Sequence, residues 1–181
     1  TSQAVWTSAI GAVLIALSAG YLLGARWAHS DRPGRTLSIC LWGAAAWAVA
    51  LPSLGPWLAA SLVPEGATLD QVGGMLPFSS LSCCLVLFFP PAALLATAGP
   101  LVVELVVRRT GCAAGAAGGR VLACSTLGSL VGTFGTTYLL IPFTGIQGAL
   151  WISAAMIAVG ALLASGAGSQ HLASILVMGA F

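Results

Sequence analysis

The chain has 181 residues, 59% hydrophobic and only 6% charged, with a mean hydropathy of +1.03. A water-soluble domain carries about 25% charged residues, so this composition excludes a body whose whole surface faces water. The net charge of +2 is too small to suggest a nucleic-acid partner, and the six Arg fall in separate short stretches rather than along one face.

A membrane-spanning helix needs about 20 mostly apolar residues, and such runs recur along the chain. The first is 5–23, followed by Arg26, His29, Asp31, Arg32 and Arg35. The second is 37–62, with Pro52 and Pro56 expected to bend or end it. A polar loop over 63–71 carries Glu65 and Asp70. The third run is expected over 76–98, kinked at Pro90 and Pro91, with a short interfacial helix continuing to Arg109. The glycine-rich stretch 111–119 reads as a flexible connection. Spans four and five are expected at 121–143 and 146–164, and 171–181 reads as part of a sixth. The expected fold is therefore all-α: a single polytopic transmembrane bundle of five full spans and part of a sixth.

All six Arg lie on one side of this threading. Arg26, Arg32 and Arg35 fall between spans one and two, and Arg108, Arg109 and Arg120 between spans three and four. The positive-inside rule assigns that side to the cytoplasm and Thr1 to the outside. The chain starts without Met and stops at Phe181 inside an apolar run. It reads as part of a longer protein, with an earlier span expected before Thr1.

Two segments carry a family resemblance. Residues 5–35 read VWTSAIGAVLIALSAGYLLGARWAHSDRPGR, and 119–145 read GRVLACSTLGSLVGTFGTTYLLIPFTG. The first resembles a W-T-S-x-I-G start leading to G-Y-x-L-G-x-R. The second resembles G-R-x-x-A-x-S-T-x-G-S-x-x-G-T-F closing with L-I-P-x-x-G. Both patterns are those of the membrane domain of the spermidine synthase-like, or fused major-facilitator/spermidine-synthase, proteins, which the chain thus resembles; residues 89–109 resemble that family's proline-broken helix. The resemblance implies a major-facilitator-like half in a bacterial inner membrane, with a transporter-like or substrate-channelling role and a small cationic, polyamine-related ligand. Nothing in the chain corresponds to the family's aminopropyltransferase-like domain, so no enzyme activity is expected. Asp31, Arg32, Gly34 and Arg35 also echo a major-facilitator loop, D-R-x-G-R, in which acid and guanidinium pair across a cytoplasmic hinge.

Chemistry-bearing residues are few. Glu104 is an acid within the apolar stretch PLVVELVVRR, and an ionisable group at membrane depth is a functional hypothesis. Arg108, four residues on, is spaced to pair with it. Glu104, Pro90 and Pro91 are the candidate pathway residues, because a proline-broken helix exposes carbonyls to a ligand; Asp31, Arg32 and Arg35 are the candidate hinge. His29 and His171 read as solvated residues, and the five Cys, with no C-x-x-C pair, as small packing residues. Trp6, Trp27 and Trp57 read as interfacial anchors. Thr136, Thr137 and Tyr138 are expected to form interhelical hydrogen bonds. No catalytic, cofactor or metal site is expected. Small residues four apart, Gly20 with Gly24 and Gly128 with Gly132, the latter extended backwards by Ser125, predict close helix packing, within the chain or against partner helices. The rival reading is a cofactor-free subunit packed onto a larger respiratory, photosynthetic or other membrane complex.

Overall fold

A computed structural model describes residues 2–62 and 69–165, with backbone alone at 2, 4–5, 59–62 and 69–80. Expectations for Glu65, for 171–181 and for His171 lie outside these residues. The fold is all-α, with helices α1 (Ser2–Ala28), α2 (Pro33–Leu62), α3 (Leu69–Ala96), α4 (Ala98–Thr110), α5 (Ala114–Gly135) and α6 (Ile141–Ser165). A π-helical turn, Thr136–Leu140, joins the last two. Four stretches are long and apolar enough to cross a membrane: Trp6–Ala28, Pro33–Leu58, Leu81–Thr110 and Ala114–Ser165.

The distribution of side chains is the reverse of a soluble core. Small residues fill the interior, among them Ala12, Ala16, Ala44, Ala93 and Ala161, whereas large apolar side chains such as Leu14, Leu22, Ile39, Leu130 and Met156 face outward. The largest fully buried side chains are Leu101 and Thr97. Association in lipid gains nothing from burying a large hydrocarbon side chain already in hydrocarbon. It gains from close backbone approach, which small residues permit.

The helices stand in a row, α1 beside α3, α3 beside α2 and α2 beside α6, with α4 in contact with α1, α2 and α5. The α1–α3 seam is built on glycine. A Cβ added at Gly20 would collide with the Ala93 carbonyl and lie 2.5 Å from the Ala96 Cβ, and one at Gly24 would lie 2.7 Å from the Thr97 carbonyl oxygen. Helices α2 and α6 are tied by the buried Ser38 Oγ, which donates to the Ala161 carbonyl at 3.0 Å. A small cluster of Ala28, Leu37, Leu101 and Ala164 joins the ends of α1, α2, α4 and α6.

Several helix boundaries differ from expectation. Helix α2 runs through Pro52 and Pro56 to Leu62, where the expected run ends, and α3 runs through Pro90 and Pro91 to Ala96; the interruption at Thr97 falls next to the expected end at 98. Pro100 explains its position. It cannot donate to the Ala96 carbonyl four residues back and its ring crowds that carbonyl, so the chain opens a turn at Thr97 and restarts with Pro100 in the first turn of α4, where proline is tolerated. Only Gly111–Ala113 separates α4 from α5. The rest of the expected connection is helical, because its alanines are the strongest helix formers and Ala117 is buried at the foot of α5.

The stretch Ala114–Ser165 would be about 78 Å long as one helix, far beyond the roughly 30 Å hydrocarbon thickness. It is broken at Gly145, where φ is 70° and ψ 178°, a region that glycine alone occupies readily. From Gly145, α6 rises about 30 Å beside α2 to Ala164, which faces Gly34. Gly145 therefore lies one bilayer thickness from the start of α2.

Candidate functional site

Glu104 lies midway along α4, four residues before Arg108, so both project from one face. Arg108 Nε donates to Glu104 Oε1 at 2.7 Å, and its Nη2 donates to the Ala28 carbonyl at 3.2 Å. That carbonyl belongs to the last turn of α1, where no intrahelical donor remains and the negative end of the helix dipole favours a cation. One guanidinium thus ties the acid of α4 to the end of α1. The side chains are 40% and 28% exposed, so the pair itself contributes only about 0.3–0.5 kcal/mol.

Glu104 borders a groove of about 580 Å³ between α1, α4 and the foot of α5. Tyr21 and His29 line it from α1 and the turn beyond, Gly99 and Glu104 from α4, and Gly118 and Ser125 from α5. His29 is held by its Nδ1, 3.1 Å from the Ala25 carbonyl oxygen. The groove combines an acid, an imidazole and a phenol with mostly apolar walls, a combination suited to an alkyl chain bearing a cationic head.

The other sequence candidates lie apart from Glu104. Pro91 has no N–H for the Leu87 carbonyl. That carbonyl is instead the acceptor for Trp47 Nε1, at 3.2 Å from α2. Asp31 makes no ion pair among the described residues, and Arg32 and Arg35 line a different cavity with Arg109. Gly20 and Gly24 are in the α1–α3 seam, whereas no described residue beyond their own helix lies within 4 Å of a Cβ built at Gly128 or Gly132. Thr136, Thr137 and Tyr138 make no hydrogen bond to another helix among the described residues. They form the π turn, where the Tyr138 ring, 68% exposed, stacks on Phe134 at 5.9 Å; Thr137 is exposed as well and Thr136 half-buried. Cys40 and Cys84 are buried, but Cys124 is exposed on α5. Among the described residues no group of His, Cys, Asp or Glu is placed to hold a metal.

Sequence reasoning did not find Trp47 or the second bond of Arg108. A signal existed for the first: a proline inside a span leaves a carbonyl that some donor must satisfy, and Trp47 is among the few donors in the facing span.

No family model, no curated protein and no solved structure matches this chain. Its chemistry rests on the residues alone. The described structure is that of an all-α protein with four helices long and apolar enough to span a membrane.

Proposed function

We propose that the chain is a non-catalytic integral membrane domain with a transporter-like or substrate-channelling role, taking a small organic cation at the Glu104 groove. The carrying observation is Glu104 itself, a carboxylate within an apolar helix that borders a 580 Å³ groove and already holds a guanidinium. A ligand ammonium would compete with Arg108 for that carboxylate while its alkyl chain lies against Gly99, Val103 and Val121. The two resemblances at 5–35 and 119–145 support the same reading, with the membrane half of spermidine synthase-like proteins as the comparison. The break at Gly145 supports reading α5 and α6 as separate spans, hence five full spans among the described residues. The six Arg support a cytoplasmic position for the joint of α1, α2 and α4 in a bacterial inner membrane. Uptake of radiolabelled spermidine into proteoliposomes tests the role. Glu104→Gln should reduce it at least tenfold, with protein insertion unchanged; uptake equal to that of empty liposomes for the unsubstituted protein would refute the proposal.

A second reading is favoured by α5. Its only buried residue is Ala117, and Leu122, Leu127, Val131 and Phe134 all face outward. A cofactor-free subunit packed against other helices of a membrane complex would present such a helix. Native mass spectrometry after gentle extraction distinguishes the two: stoichiometric foreign subunits support this reading, and a lone protomer or homo-oligomer removes it.

A further inference from the structure

A second cavity, about 570 Å³, opens between the start of α2, the end of α4 and the end of α6. Three guanidinium side chains line it: Arg32 immediately before α2, Arg35 in the first turn of α2, and Arg109 in the last turn of α4. Among the described residues none of the three makes an ion pair or a side-chain hydrogen bond. Among the described residues no carboxylate lines the cavity. Glu104 is on a different face of α4, paired with Arg108, and Asp31 is not among the walls. The first turn of α2, at Gly34, also borders the space and adds the positive end of a 30-residue helix. The hydroxyls of Ser38 and Ser165 are already donating to the Ala161 and Leu162 carbonyls, so the available donors are the arginines.

Three like charges around one space repel one another unless an anion lies between them. The fork geometry of guanidinium fits a phosphate through paired N–H donors. On the outer side the cavity is walled by Ile39, which is 62% exposed, with Leu105 beside it. An apolar wall next to a cationic pocket at a helix end suits a headgroup with an acyl chain attached.

We infer that this cavity binds a phosphate-bearing anion, as carried by the headgroup of an anionic phospholipid or by free phosphate. The site shares no lining residue with the Glu104 groove and does not depend on the role proposed for it.

Native mass spectrometry of the delipidated full chain tests the inference, with phosphatidylglycerol, cardiolipin, phosphatidylcholine and inorganic phosphate added in turn. Arg32→Gln, Arg35→Gln and Arg109→Gln should each weaken anionic lipid binding about fivefold. Arg26→Gln and Arg120→Gln, at the same end but outside the cavity, should weaken it less than twofold. Retained thermal unfolding temperatures establish that the variants are folded, and the single substitutions keep the test open if the triple variant does not assemble. Lipid bound by the three arginines and not displaced by millimolar phosphate identifies the headgroup as the ligand; displacement by phosphate identifies the free anion. Equal binding of phosphatidylcholine, or equal losses in Arg26→Gln and Arg120→Gln, would overturn the site.

Discussion

Trp47 Nε1 donates to the Leu87 carbonyl at 3.2 Å, and this is the carbonyl that Pro91 cannot serve. The indole of α2 replaces a missing rung in α3, which lets α3 pass through two prolines without ending. Trp47→Phe keeps an aromatic ring, though a smaller one, and removes the donor. It should cost about 1 kcal/mol of stability in detergent unfolding. In a Pro91→Ala background the N–H is restored and the same change should cost less than half as much. Additive costs would show that the indole bond does not serve the proline gap.

The seam of α1 with α3 and the small-residue stripe of α5 make opposite predictions. Gly20→Ala drives a methyl into the Ala93 carbonyl and the Ala96 side chain, so a loss of about 1–3 kcal/mol is expected. A Cβ at Gly128 has no described residue beyond its own helix within 4 Å, and Gly128→Leu should leave the unfolding of the purified chain within about 0.5 kcal/mol of the parent. A large loss for Gly128→Leu in native membranes alone would mark the stripe as a contact with another protein.

Ser38→Ala removes the α2–α6 hydrogen bond to the Ala161 carbonyl. Buried interhelical bonds in membranes average about 0.6 kcal/mol, and the expected cost is of that order. Steric trapping or denaturant unfolding can resolve it. A loss above about 2 kcal/mol would mean that Ser38 does more than hold α6.

Gly145→Ala tests the break between α5 and α6. At φ 70° and ψ 178° a Cβ is strained whatever the space around it, and about 1–3 kcal/mol should be lost. A neutral outcome would contradict a sharp turn at this residue.

How much of this was legible in the sequence follows from what lipid demands. Apolar length and the arginines at the joints are local properties, and they sufficed for helices around 5–23, 37–62, 76–98 and 146–164. The pairing of Glu104 with Arg108 is likewise helical arithmetic. Helix ends were less legible. Proline was weighted as a breaker at Pro90 and Pro91, but a tertiary donor, Trp47, can satisfy the freed carbonyl, and no local pattern contains that donor. The opening at Thr97 was legible, because Gly99 and Pro100 follow it closely and the third run was expected to end at 98. The meeting of Arg32, Arg35 and Arg109 joins α2 to α4 across more than 70 residues of chain and needs the fold to be seen.

The central claim is a membrane-crossing bundle whose arginine-bearing joint and Gly145 turn lie on opposite sides. Cysteine accessibility tests it directly. One variant keeps Cys112, in the short α4–α5 connection, as its sole thiol; a cysteine-less variant carries Thr144→Cys, beside Gly145. With a membrane-impermeant maleimide on oriented vesicles and intact cells, Cys112 should react only from the cytoplasmic face and Thr144→Cys only from outside. Reaction of both from the same face would contradict the account.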